Sequence, residues 1–403
     1  MRATLLIILM VVFCSCGRKS TNETGNTGSV IAIDLLSEPG STVKKLSEIA
    51  ENVQYIPLQT TESSLLGGIR RKIVTTDSKI YISSGEEVLC FDMSGKFQFK
   101  IQNTGRGPEE YTYLRDFDIS SDNRFLALLT TSKLLIYGIS ENGFTFQRSI
   151  TLKDPAPWLV SIVPETENIL LSIAPFEGIE PTLSLLINAS GDSMHFKPNC
   201  YKYKMAREHN YQSLNEMIAY SVEDYACFKE EFSDTVFCVN AKDNLFKPRI
   251  IFNSHGTLTT PAIRAGLEQV RNNLTFIAYI FETPRYVFYK YFTMQAQNAL
   301  LFDKRANTKH LLYKQDLQSD QKSALKDDLS GGPDFNIEFL NSYCSGGRLF
   351  SFAEALALKK YVASEDFKNA QAMDTKKKIE LKKIADSLKE TDNPVLIMLT
   401  LKK

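Results

Sequence analysis

The residues best placed to do chemistry are the aspartates of Arg115-Asp116-Phe117-Asp118. Side chains two apart on a strand share a face, so Asp116 and Asp118 are expected to project together, with Arg115 beside them. A carboxylate pair next to a guanidinium can hold a polar ligand. With carboxylates from elsewhere in the chain it can hold a metal. The same residues can instead be structural, accepting backbone N–H groups or pairing with Arg115. Both readings stay open at this stage. His195, His209, His255 and His310 are scattered through turns and polar segments. None has the spacing of H-E-x-x-H, and no G-x-S-x-G nucleophile elbow accompanies them. No catalytic residue, metal ligand or cofactor is therefore assigned. Trp158 and the tyrosines 201, 203, 211 and 220 offer rings that could stack on a sugar or peptide, or pack between repeated units.

One cysteine has a chemistry of its own. Met1-Arg2 gives a positive start, and residues 3–13 form an unbroken apolar run. That run is too short to span a bilayer and has the length of a secretory h-region. Small Ser15 precedes Cys16, and Gly17 follows, which resembles a lipobox with Phe13 where Leu is usual. The reading is a signal peptide over residues 1–15 and a diacylglyceryl group on the Cys16 sulfur. A small, polar tether then runs to residue 30. The expected location is the cell envelope, anchored to the outer membrane by that lipid, with the periplasmic or surface side left open.

The elements that must position these side chains come from the rest of the chain. Its 403 residues carry 47 basic and 47 acidic side chains, so no global field favours nucleic acid. Aromatics are abundant, with 25 Phe and 17 Tyr, which suits an ordered β-rich domain. A unit of roughly 45 to 60 residues recurs. In its clearest copy KIYIS and EVLCF are strands, Asp92-Met93-Ser94-Gly95 is a turn, and Phe97, Phe99 and Ile101 alternate with polar residues. The order returns in FLALLT, LLIYGI and FTFQRSI. It returns again in ILLSI and LSLLI running into Asn188-Ala189-Ser190-Gly191. Further copies read through DTVFCVN and FKPRIIF, then RYVFYKYF, ALLFD and HLLYK, and last RLFSFAEAL. There is no alternation with helices, so a parallel α/β sheet is not expected. Six such units over residues 31–403 make an all-β, six-bladed propeller, each meander covering its neighbours. A pair of β-sandwiches is the alternative.

Two stretches break the pattern. Residues 256–278 include a short helix, and residues 364–390 read as a helix with Leu381, Ile384 and Leu388 in one stripe. Lys376, Lys377 and Lys378 are expected on its solvated face. The strand VLIMLTL after Asn393-Pro394 is expected to close the ring beside VQYIPL near the N-terminus. The cysteines after Cys16 are Cys90, Cys200, Cys227, Cys238 and Cys344, an odd, irregular set without a disulfide framework. Cys227 and Cys238 flank a turn at residues 232–234 and could face each other across a hairpin, which leaves a disulfide between them open.

The segments YIPLQTTESSLLGGIRRKIVTTDSKIYI, GRGPEEYTYLRDFDIS, FETPRYVFYKY and DNPVLIMLTLKK resemble the six-bladed β-propeller lipoproteins of Gram-negative bacteria. Residues 105–111 are similar to that family's G-x-G-P-G-E-Y loop, with Glu109 where Gly is usual. The resemblance covers nearly the whole chain after the tether. It implies a propeller on a lipid tether, in a family whose members mostly lack an assigned activity. Physically the loop suits a link between blades anchored by Tyr111, because no helix follows to make it a phosphate cradle. The function expected is a monomeric, non-catalytic binding or scaffold module for a glycan, peptide or protein. Arg115, Asp116 and Asp118 lie at its site, and no cofactor is expected. The alternative is a metal-dependent hydrolase or lyase acting in the central channel.

Overall fold

The computed structural model describes residues 30–67, 70–153, 156–175, 178–204, 217–316, 324–337 and 344–403. The chain opens with β1 (Ile31–Asp34), β2 (Ser41–Thr42), a single helical turn α1 (Leu46–Ile49) and β3 (Ala50–Pro57). Blade 1 then runs β4 (Arg70–Thr75), β5 (Lys79–Ser84), β6 (Glu87–Asp92) and β7 (Phe97–Ile101). Blade 2 is β8 (Leu114–Ile119), β9 (Phe125–Thr130), β10 (Lys133–Ser140) and β11 (Gly143–Thr151). Blade 3 is β12 (Leu159–Ile162), β13 (Ile169–Ser172), β14 (Thr182–Ile187) and β15 (Ser193–Pro198). Blade 4 is β16 (Ile218–Val222), β17 (Tyr225–Lys229), β18 (Thr235–Val239) and β19 (Lys247–Asn253). The turn α2 (Pro261–Arg264) leads to blade 5, with β20 (Thr275–Glu282), β21 (Tyr286–Thr293), β22 (Ala296–Asp303) and β23 (Thr308–Asp316). A two-stranded ribbon follows, β24 (Ala324–Leu325) with β25 (Phe335–Asn336). Blade 6 takes β26 (Cys344–Ser345) and β27 (Arg348–Ala353). After helices α3 (Ala355–Ala363), α4 (Glu365–Asn369) and α5 (Thr375–Ser387), it is completed by β28 (Val395–Leu401). Within each blade the strands pair antiparallel in sequence order, and the innermost strands β26, β4, β8, β12, β16 and β20 stand around the axis. The fold is a six-bladed β-propeller.

The burial patterns explain why these sequences make blades. β9 is buried at all six residues and β5 at five of six, because both faces of a middle strand are covered by neighbouring blades. The outermost β11 alternates between partly covered and exposed residues, as a strand with one wet face should. Core clusters accordingly lie between blades: Tyr81, Val88 and Cys90 of blade 1 pack with Phe117, Leu126 and Leu135 of blade 2. The two echoing turns are the same structure. At Asp92 and at Asn188 a side-chain oxygen accepts from the N–H two residues on, and the glycine that follows sits at φ 86° or 90°. A Cβ there would strike Pro57 or Ile150 of the adjoining blade, so only Gly fits.

Closure follows the expected scheme. β28 lies between β27 and β3, with Phe350 opposite Met398 and Leu396 opposite Ile56. The N-terminal segment does more than close the ring. β1 adds a parallel fifth strand to β19 of blade 4, and β2 does the same to β23 of blade 5. Residues 31–57 thus form a belt over the outer edges of three consecutive blades, which protects those edges from pairing elsewhere.

The helical stretch lies between β27 and β28, and its stripe is as read: Leu381 and Leu388 are buried and Ile384 packs beside them. The sixth unit does begin at RLFSFAEAL, whose first six residues are β27, and Glu354 occupies the N-cap position of α3. One reading needs correction. The lysines are not all a solvated face. Lys377 reaches the Asn52 side chain, and Lys378 donates to the carbonyls of Lys368 and Ala370 while lying over the Phe367 ring. Their long aliphatic stems let a charged side chain bind a neighbour while its head stays wet.

Candidate functional site

At the end of the axis where the innermost strands finish, the ring encloses a cavity of about 330 Å³. Five blades each line it with a hydroxyl-bearing residue: Thr75, Ser120, Ser161, Ser221 and Ser345. Blade 5 supplies Phe281 instead, and Lys72, Asp118, Glu223 and Arg348 add charge to the wall. The join of blades 6 and 1 is held there by the Thr75 N–H donating to Ser345 Oγ (3.0 Å) and by Arg348 donating to Thr75 Oγ1 (3.3 Å).

The predicted site residues stand on β8, and the structure splits them. Asp116 and Asp118 share a face; Arg115 leaves on the other, donating to the carbonyls of Ala156 (3.0 Å) and Pro157 (2.7 Å). Its guanidinium carbon lies 4.3 Å from the centre of the Trp158 ring. That contact uses Trp158 as packing on the rim of blade 3. Asp116 accepts from the Val160 N–H (2.9 Å) and Asp118 from the Ile162 N–H (2.8 Å). Two carboxylates two apart on β8 therefore meet two amides two apart on β12. Those amides need such partners. The Val163 N–H turns toward β13, so the even-numbered N–H groups of β12 face away from their own sheet. The same device joins other blades, with Glu86 accepting from the Leu114 N–H.

The two aspartates differ in charge environment. Lys72 Nζ lies 3.0 and 3.3 Å from the two oxygens of Asp116. Asp118 is half-buried on the cavity wall, and desolvation raises its pKa above the ordinary carboxylate value against the opposing pull of Lys72. Only Asp118 of the predicted trio lines the cavity.

Further buried acids sit at the next two joins, and none was legible as such. Glu230 accepts from Ser184 (3.0 Å) and pairs with Lys197 of blade 3; burial raises its pKa. Glu282 takes two bonds from Arg249 (both 2.8 Å), one from Lys304 (2.8 Å) and one from the Tyr220 hydroxyl (3.2 Å). These are bridges between blades: their charges are spent on protein partners.

The remaining candidates are dispersed. His195 packs on Phe246, His255 pairs with Asp34, and His310 bonds Ser41 and Thr308. Tyr201 and Tyr203 pack on Phe232, and Tyr220 is buried. Cys16, His209 and Tyr211 lie outside the described residues. Among the described residues no group of three or more His, Cys, Asp or Glu side chains converges to hold a metal, and no helix is long and apolar enough to cross a membrane. The loop of residues 105–111 links β7 to β8. Both glycine amides are occupied, Gly107 N–H by Glu110 (2.7 Å) and Gly105 N–H by the Tyr111 carbonyl (3.0 Å). Buried Tyr111 donates to the Glu86 carbonyl (2.6 Å), which anchors the link as expected.

The model of a domain of unknown function, DUF4934, matches residues 30–400. The chain belongs to that family. Its DUF4934 domain is therefore the whole ring, belt included. No curated protein matches it. A crystal structure of a Bacteroides fragilis protein inferred to be exported is similar in fold, with a TM-score of 0.64 at 19% identity over 93% of this chain and 100% of that one. A member of the DUF4221 family from Bacteroides vulgatus matches at a TM-score of 0.40 and 14% identity, over 66% of this chain and 86% of that one.

Proposed function

We propose that this DUF4934 chain is an extracytoplasmic lipoprotein, held to the outer membrane through Cys16, and that its ring is a non-catalytic binding module. The ligand is the end of a glycan or a polar peptide, taken into the cavity at the mouth of the channel. The observation that carries the binding role is the cavity's wall. Hydroxyl-bearing residues from five blades line one space of about 330 Å³, and the Asp118 carboxylate on its wall is engaged by the Ile119 and Ile162 N–H groups. Such a wall can exchange hydrogen bonds with a polar ligand, and Ser120, whose hydroxyl donates to Asp122, is tied into its own turn by accepting from the Arg124 and Phe125 N–H groups. Lipidation is supported by the apolar run of residues 3–13 followed by Ser15-Cys16-Gly17, and export by that run and by the description of the Bacteroides fragilis protein.

Two experiments test the parts separately. Metabolic labelling with a fatty-acid analogue should mark the wild type and not Cys16→Ala, which should also leave the membrane fraction; a labelled Cys16→Ala chain defeats the lipid assignment. Purified chain is then passed over glycan and peptide arrays. Retention of a defined glycan or peptide, recovered unaltered, is the expected result; cleavage of the retained compound would replace the binding role with catalysis.

A further inference from the structure

We propose that Cys227 and Cys238 form a disulfide across the middle of blade 4. The proposal rests on the export reading above, which places the chain in an oxidising compartment. The register sets Cys227 of β17 directly opposite Cys238 of β18. Two observations fix the kind of pair they make. The β16–β17 hairpin closes at Val222 and Tyr225 around two residues, with Glu223 at φ 52°. A two-residue hairpin closes on a hydrogen-bonded pair, so Tyr225, Cys227 and Lys229 turn their N–H and C=O groups toward β16. On the other strand, the Phe252 N–H donates to the Asp234 carbonyl (2.8 Å), so Asp234, Val236 and Cys238 turn theirs toward β19. Both lines leave Cys227 and Cys238 as a non-hydrogen-bonded pair. In that arrangement the Cα atoms are about 4.5 Å apart and the side chains are closest. That spacing falls within the roughly 4.4–6.8 Å that a disulfide requires. Both thiols leave the same face and are buried together beside Tyr220, Val236 and Ile280. Buried Cys90 lacks this arrangement, since its cross-strand neighbours are Tyr81 and Phe99.

The two thiols are free in this structure. Forming the bond releases two protons and two electrons from them. The electrons reduce the disulfide of a thiol–disulfide oxidoreductase to its dithiol, by way of a mixed disulfide with one of the two cysteines. Burial raises the Cys227 thiol well above its usual range and pushes Cys238 up to about 11. Thiolate is scarce once blade 5 covers the pair, so exchange takes place while the hairpin is still open.

The test takes the full chain from its own cells, quenched in acid, alkylated and digested without reduction, with its cell fraction recorded. The expected product is one peptide pair joined through Cys227 and Cys238, lighter by two hydrogen atoms, with Cys90 alkylated. Reduction should lower the melting temperature of the wild type by several degrees and leave Cys227→Ala unmoved. Alkylated thiols at both positions in envelope-located protein overturn the proposal. Should the chain instead be cytoplasmic, the export reading fails by itself, and refolding of the reduced full chain with oxidised glutathione decides the bond. The 227–238 link forming there supports it; two free thiols overturn it.

Discussion

Asp116 and Asp118 show how one pair of side chains serves two neighbours. Their carboxylates satisfy the Val160 and Ile162 N–H groups of the next blade, and Asp118 also lines the cavity. Replacing either with Asn leaves one oxygen to accept and turns the other into an N–H donor, which faces Lys72 at position 116 and a backbone N–H at position 118, so each variant should lose about 1–3 kcal/mol in urea unfolding. A loss within experimental error would mean that these bonds do not hold the join. The Asp118 change should depend on pH in a set direction. Its folded pKa is raised, so its stabilisation is complete below the unfolded value of about 3.9 and fades as pH rises through the folded one. The penalty of Asp118→Asn should therefore be larger near pH 4 than at neutrality; the opposite trend would contradict the desolvated environment. These residues and their shared face were legible in the period of two. Their partners, the amides of β12, were not, because inter-blade contacts leave no periodic trace. Glu230 and Glu282 were hidden for the same reason: a buried acid and an exposed one are spelt alike.

At the scale of elements, middle strands were legible because burial on both faces makes them continuous apolar runs, as in FLALLT and VLIMLTL. The stripe of α5 was legible through its 3.6-residue period. Leu381 is 1% exposed and joins α5 to α3 and to Val395. Leu381→Ala should cost about 2–5 kcal/mol and loosen the helical insert, which hydrogen exchange would report as faster exchange in α3 and α5. Unchanged exchange there would mean that the insert is held by its polar contacts. Of the belt strands β3 was legible in VQYIPL, but β1 and β2 were not. β1 and β2 have four and two residues, and they are strands because β19 and β23 offer edges far along the chain. The innermost strands were also weak signals, since their sequences serve a polar channel on one side and a packed join on the other.

For the molecule as a whole, closure depends on β28 between a strand from each end of the chain. Deleting residues 393–403 removes its pairing with both β27 and β3 and exposes two edges. The truncated chain should aggregate on size-exclusion chromatography; a monomer of full thermal stability would show that the ring closes another way. The closed ring matters because it alone brings hydroxyl-bearing residues of separate blades around one space. Ser221 offers the most direct test of that place, being exposed on β16 and part of the cavity wall. Ser221→Trp would fill the space without replacing a core residue. Calorimetric titration with the glycan or peptide best retained on the arrays should give binding to the wild type. For the variant it should give at least a tenfold loss, at an unchanged melting temperature. Equal affinity in the two proteins would contradict the account and move the ligand site away from the channel mouth.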